Sequence, residues 1–214
     1  MIITAHGGAM GTGRNSQKYF ERTADYRADA LEIDVRSRGD LLYISHLPAL
    51  FPGKCIPLAR AFDMVAESGL MVNCDIKERR LVKRVLDLAK SAGIADKVYF
   101  TGAVTLEDSD DIDAGAVWLN AFNFSEVGVT PASAARIKVM IGATGNPAYR
   151  GINIDKRRAT DEFMRAAAAA GLGVSVYTVD DPAEQRRLAA FRPDNITTNR
   201  PLELRRLLEA EAEK

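Results

Sequence analysis

The only two histidines of this 214-residue chain, His6 and His46, bracket a pair of carboxylates that could do chemistry with them. Glu32 and Asp34 are one residue apart in the apolar run Asp29-Ala-Leu-Glu-Ile-Asp-Val, which reads as a buried strand. Side chains two apart share one face of a strand, so both carboxylates point the same way. Two acids side by side in an apolar setting repel each other and lose solvation. They need a cation between them or a shared proton, unless the strand ends there and both touch water. His46 closes a second short apolar run, Leu41-Leu-Tyr-Ile-Ser-His, that should fold back near the first, and this moves the balance towards a bound divalent metal.

Elements must bring these residues together, and the chain alternates short apolar runs with amphipathic ones. Strands are expected at Ile2 to His6, at Asp29 onward with its return to His46, and at Met71 to Lys77, Lys97 to Thr101 and Ala116 to Ala121. Three more follow at Gly151 to Asp155, Gly173 to Val179 and Asn195 to Thr198. Between them helical spacing or caps predict a helix from Ser16 with Tyr19, Phe20 and Thr23 inward, one from Pro57 to Glu67, and one through Leu81 to Ala89 stopped by Gly93. A weak acidic helix over Leu106 to Ile112 follows, then helices from Thr130-Pro131 to about Ile141 and from Thr160 to Ala170. The last two are one opened by a capping box at Asp181 and Glu184, and a terminal helix after Pro201. Eight strand-then-helix units suit one (β/α)8 TIM barrel over residues 1–214 better than an open sheet, and no Gly-x-Gly-x-x-Gly joins a first strand to a helix. Barrel sites lie at the C-terminal ends of the strands. His6 ends the first strand, Glu32 and Asp34 lie late in the second, Asp75 and Lys77 end the third, Tyr177 ends the seventh and Asn199 follows the eighth.

Lys+Arg and Asp+Glu are equal at 29 each, so no net field points to nucleic acid or to an anionic membrane. Cys55 and Cys74 have no partners at metal-ligand spacing and read as reduced thiols, with one disulfide the alternative. No apolar run is long enough to span a membrane and the first strand begins at Ile2, so a cytoplasmic protein without membrane insertion is expected. Asp108, Asp110, Asp111 and Asp113 lack a calcium-loop pattern and read as a solvated face. Lys156 could reach an anionic substrate, and Trp118 packs in the core or lines the pocket mouth.

Ala5-His6-Gly7-Gly8, Arg14-Asn15-Ser16, Leu31-Glu32-Ile33-Asp34-Val35, Ser45-His46, Asn73-Cys74-Asp75-Ile76-Lys77, Val176-Tyr177-Thr178-Val179-Asp180 and Ile196-Thr197-Thr198-Asn199-Arg200-Pro201 occur in that order. The series resembles the motifs of the glycerophosphodiester phosphodiesterase family. The resemblance implies a barrel that hydrolyses a small-molecule phosphodiester to glycerol 3-phosphate and an alcohol with a divalent cation. It also implies Glu32, Asp34 and Asp75 as metal ligands, His6 and His46 as the acid/base pair, Lys77 beside the phosphate and Tyr177 as an aromatic wall where the family has tryptophan. Three hard anionic ligands suit Mg²⁺ or Ca²⁺ better than Zn²⁺.

Four departures from that pattern stand out. Gly7 replaces an arginine, Arg14 a glutamate and Leu47 an aspartate, and the usual insertion before the third strand is missing, since only 28 residues separate His46 from Asp75. Arg14 either supplies the lost cation as a phosphate clamp, its loop made pliable by Gly7, Gly8, Gly11 and Gly13, or is a solvent-exposed arginine on a mobile loop. The alternatives are a non-catalytic relative that binds a phosphate-bearing ligand, and a lyase that forms a cyclic phosphate.

Overall fold

The computed structural model describes residues 1–212. Nine strands form one sheet: β1 (Ile2–Ala5), β2 (Ala30–Arg38), β3 (Leu41–Ile44), β4 (Met71–Ile76), β5 (Val98–Gly102), β6 (Ala116–Asn120), β7 (Tyr149–Asp155), β8 (Gly173–Tyr177) and β9 (Asn195–Thr198). Eight of them run parallel in the ring β1-β2-β4-β5-β6-β7-β8-β9, closed because β1 pairs with both β2 and β9. The ninth, β3, is antiparallel to the end of β2 and stands outside the ring. Helices α1 (Gln17–Glu21), α2 (Thr23–Tyr26), α3 (Leu58–Ser68), α4 (Val82–Ser91), α5 (Ala134–Gly142), α6 (Asp161–Ala169), α7 (Pro182–Ala189) and α8 (Pro201–Ala212) lie between and after the strands. This is the expected TIM barrel.

Strand parity divides the chain into two interiors. Outward positions such as Ile33, Val35, Val72, Ile76, Phe100, Leu119, Ile152, Val174 and Ile196 are buried with the inner faces of the helices in the main apolar core, the layer that supplies most of the hydrophobic stabilisation. Inward positions are apolar at one end and polar at the other. At the N-terminal end Ala30, Tyr99 and Trp118 form a separate apolar plug, with Ile2, Met71 and Ala116 packed on it. Trp118 is thus a core residue at the end opposite the site. Gly151 is its partner in the register, Gly173 lies next to Gly151, and a side chain on either glycine would strike neighbouring backbone.

Above the plug an amide and hydroxyl chain fills the barrel. Thr4 donates to Asn195, Asn195 to Ser175, Ser175 to Asn153 and Asn153 to Asn120, over 2.5 to 2.9 Å. Buried polar groups are tolerated when each has a partner, and among the described residues Gln185 Oε1 is the one buried side-chain oxygen or nitrogen left without one.

Some expectations of element type are corrected. Leu106–Asp111 is a 3₁₀ run and not an α-helix: Asp108 turns back to cap Thr105, and four acids in six residues give little helical drive. The helix after Ser16 breaks at Arg22 into α1 and α2. Asp181 accepts from the amides of Ala183 and Glu184, but Glu184 pairs with Arg187, so only half of the capping box forms. Cys55 and Cys74 are both free, Cys74 buried in the outer core.

Candidate active site

The two N-terminal strands are clamped where they carry the site. Ser16 caps α1, which drives Tyr19 and Phe20 inward, and the Tyr19 hydroxyl donates to the Ala5 carbonyl at 2.7 Å while accepting from the Glu32 amide at 3.1 Å. One buried phenol therefore sets the spacing between the strand that ends at His6 and the strand that bears Glu32. The Gly7 amide donates to Glu32 Oε2 at 2.6 Å, and a Cβ at position 7 would come within 2.9 Å of that oxygen. The glycine lets the backbone itself serve as a donor.

Glu32, Asp34 and Asp75 converge, each offering an oxygen within 4.8 Å of the others. The register explains the convergence, because Asp34 lies directly beside Asp75 across β2 and β4 and Glu32 is one inward step below Asp34. Lys77 Nζ sits 2.6 Å from Asp34 Oδ1 and also bonds Asp75. Asn15 donates from Nδ2 to Asp34 Oδ2 at 2.7 Å and accepts from the Asp34 amide at 3.0 Å, and Thr101 donates to Asp75 at 3.1 Å.

Three carboxylates around one ammonium leave excess negative charge. Burial first, then Asp34 and Asp75, push the Glu32 carboxyl well above the usual range. Burial acts the same way on Asp34, but the Lys77 ammonium and the donors from Lys77 and Asn15 outweigh it and hold this carboxyl below its ordinary value. Lys77 is raised: burial opposes its charge, and Asp75 and Asp34 more than compensate. A set of oxygen donors with surplus charge is the chemistry that suits a hard divalent cation, so these residues could hold one.

The two histidines stand on either side of this cluster. His6 Nε2 is 4.0 Å from Glu32 Oε2, and its Nδ1 is 3.0 Å from Asn199 Oδ1. Asn199 presents Nδ2 to Asp180 at 2.8 Å and its own amide to the same carboxylate at 2.7 Å, so its oxygen must face His6. His6 then carries its proton on Nδ1 and turns the Nε2 lone pair towards the carboxylates. Burial lowers its pKa, against the Asn199 hydrogen bond and the Asp34 charge that would raise it. His46 approaches Asp34 Oδ1 with Nδ1 at 3.3 Å, and its carbonyl is held by two N–H groups of Arg36, which pairs in turn with Glu78.

These groups line a cavity of about 490 Å³ with Tyr177, Asp155 and a polar floor of Asn73, Thr101, Asn120, Asn153 and Thr197. Of the residues expected from sequence, His6, His46, Glu32, Asp34, Asp75, Lys77 and Tyr177 all face it. Arg14 does not. It is exposed and lines a neighbouring groove of about 570 Å³ that shares His46 with the cavity, although its charge is close enough to depress His6. Sequence reasoning passed over Asn15, Asp180 and Asn199 as supports, and the polar floor as a whole. The floor had a signal in the alternation Asn73/Asp75, Asn153/Asp155 and Asn195/Thr197.

Residues 57–203, more than half of the chain, match the model of the Glycerophosphoryl diester phosphodiesterase family. No curated protein matches the chain. Among solved structures it is similar to a glycerophosphodiester phosphodiesterase from Parabacteroides distasonis ATCC 8503, at 16% identity over 99% of this chain and 98% of that one, with a TM-score of 0.78. It is also similar to one from Agrobacterium tumefaciens str. C58, at 19% identity over 95% and 98%, with a TM-score of 0.69. A third is an Oleispira antarctica phosphodiesterase in complex with the product sn-glycerol-3-phosphate, at 15% identity over 98% and 97%, with a TM-score of 0.73. The matched span holds Asp75, Lys77 and Tyr177, whereas His6, Glu32, Asp34 and His46 precede it; β2 brings Glu32 and Asp34 directly beside β4, and the pairing of β1 with β2 and β9 brings His6 to the same mouth. The chain belongs to the glycerophosphoryl diester phosphodiesterase family and is a phosphodiesterase enzyme.

Proposed function

We propose that the chain hydrolyses glycerophosphodiesters to glycerol 3-phosphate and an alcohol, with a divalent cation, Mg²⁺ or Ca²⁺, held by Glu32, Asp34 and Asp75. The observation that carries this reading is the convergence of three carboxylates between two imidazoles at the mouth of one polar cavity. When bound, a divalent ion supplies charge neutralisation at the phosphoryl oxygens and orients them.

The protein's own groups account for the rest. Lys77, freed from part of its duty to Asp34 and Asp75, sits where its ammonium can meet a phosphate oxygen. His6, with Nδ1 occupied by Asn199, has one nitrogen available to accept a proton. His46, with Nδ1 turned to Asp34, has Nε2 available to return one to the leaving alkoxide. Tyr177 walls the cavity on the side of β8. The exposed Arg14 acts as a clamp only if its loop closes over the bound phosphate, and the kinetics of Arg14→Ala decide this. A clamp requires a loss of at least about tenfold in kcat/KM, or ~1.4 kcal/mol.

The test is turnover of bis(p-nitrophenyl) phosphate with Mg²⁺, Ca²⁺ or Mn²⁺ and with chelator. The reading predicts hydrolysis that chelation stops. Absence of turnover with every cation would favour a phosphate-binding relative without catalysis.

A further inference from the structure

Seven large apolar side chains are exposed among the described residues, and five of them, Met10, Leu47, Leu50, Phe51 and Phe122, are on the connections that lead from a ring strand to the next helix, the face on which the cavity opens. Single exposed apolar residues are ordinary, but a cluster on one loop marks an interaction surface. Leu47, Leu50 and Phe51 lie on the loop after β3 and are 68%, 85% and 67% exposed.

That loop is built to project. The Ile44 amide bonds the Ile56 carbonyl at 3.0 Å and Tyr43 bridges to Pro57, closing its base. Pro52 opens a 3₁₀ turn, Pro52–Lys54, and is buried, and Arg38 on β2 donates to the Leu50 carbonyl at 3.2 Å. The apolar tips are therefore held outward and do not fold back on the core.

Cations flank them. Arg14, Arg38 and Lys54 are exposed, and among the described residues none has a carboxylate ion pair. Lys54 Nζ lies 5.2 Å from the Phe51 ring centre. Arg79, Arg80 and Arg158 on other loops of this face are likewise exposed and without an ion pair. Acids are also present on this face, among them the exposed Asp40, but among the described residues none pairs with the three cations beside the apolar tips; Asp110 and Asp113 line a separate cleft with Gly115 and Ala148, beside the N-terminal ends of β6 and β7.

We propose that the loop 45–56 and its cationic flank dock the enzyme on an anionic lipid bilayer, with the site mouth facing phosphodiester head groups at the surface. Leucine and phenylalanine that enter the interfacial region beside arginine and lysine that meet anionic head groups make the combination peripheral membrane binding requires. His46 opens the same loop and lines the cavity, so docking and access to the site are coupled. The docking rests on the exposed side chains. Its use in delivering substrate rests on the hydrolase reading.

Cosedimentation with vesicles of phosphatidylcholine alone, or with phosphatidylglycerol added, tests the proposal. The wild type is expected to bind the anionic vesicles far better, and to lose binding as salt rises. Leu50→Ser/Phe51→Ser should weaken binding about tenfold or more, and Lys54→Glu should weaken it on anionic vesicles alone. Both variants should keep wild-type turnover of soluble bis(p-nitrophenyl) phosphate. Wild-type protein that stays in the supernatant with anionic vesicles, or a double variant that binds as well as wild type, overturns the proposal. Vesicle binding without turnover of any soluble diester would instead sink the hydrolase reading and leave the docking intact.

Discussion

At the scale of single residues, the site depends on charge that the three carboxylates cannot balance alone. If Glu32, Asp34 and Asp75 share a cation, Glu32→Gln or Asp34→Asn should abolish binding of Mg²⁺ or Ca²⁺ in isothermal titration, and tight binding that survives both changes would show the ion sits elsewhere. His6 offers a second handle through its support. Asn199→Ala removes the acceptor that fixes the imidazole, and kcat is expected to fall roughly 10- to 100-fold with KM little changed, since nothing that holds the phosphate is touched. An equal loss after mutation of a distant surface asparagine would reduce this to a stability effect. The residues with their own reactivity were legible in the sequence because acids and histidines interrupt apolar runs. Asn199 was placed at the end of the eighth strand, but the supporting roles of Asn15, Asp180 and Asn199 were not legible, because they lie in partners 19 or more residues away, and nothing in an asparagine's local setting says which carboxylate or imidazole it will meet.

At the scale of elements, parity did most of the work. Each strand buries alternate apolar positions outward, so a run of valine and isoleucine broken every second residue by Asn, Asp, Thr or Ser marks a barrel strand with a wet interior. Leu106–Asp111 was misjudged because acids can cap a turn as readily as they decorate a helix, and the choice was made by the tertiary contact of Asn146 with the Ser109 and Ile112 carbonyls. Gly102 links element to site. It has φ +84, and a side chain there would strike the Ile76 carbonyl and the Asp75 carboxylate. Gly102→Ala should therefore cost about 1–3 kcal/mol of unfolding free energy and displace Asp75, which chemical denaturation and metal titration of the same variant would read together. Unchanged stability would mean that β4 and β5 yield more easily than their register implies.

At the scale of the whole molecule, the ring is what assembles the site, since its parts come from both ends of the chain. An ion that binds only the folded barrel should stabilise it: at about 100 times its Kd the gain is ~2.7 kcal/mol, or roughly 5–10 °C in Tm for a domain of this size, reversed by chelator. The junction between the ends of β8 and β9, where Asp180 holds Thr198 and Asn199, has its own pH signature. Burial alone would raise Asp180, but the Asn199 side chain and amide and the Thr198 hydroxyl outweigh it and lower its pKa. A carboxylate with a lowered folded pKa contributes stability that is present above its unfolded value, near ~3.9, and is lost as pH falls through the folded value. Asp180→Asn should flatten the fall in Tm below about pH 4, and an unaltered acid limb would assign that limb to other carboxylates. The most direct test of the account is phosphorus NMR of glycerophosphocholine incubated with wild type, with Asp75→Asn, and with wild type plus chelator. The account predicts that the diester signal is replaced by that of glycerol 3-phosphate in the first sample alone. A cyclic phosphate as the final product, or turnover that persists in the other two samples, would contradict it.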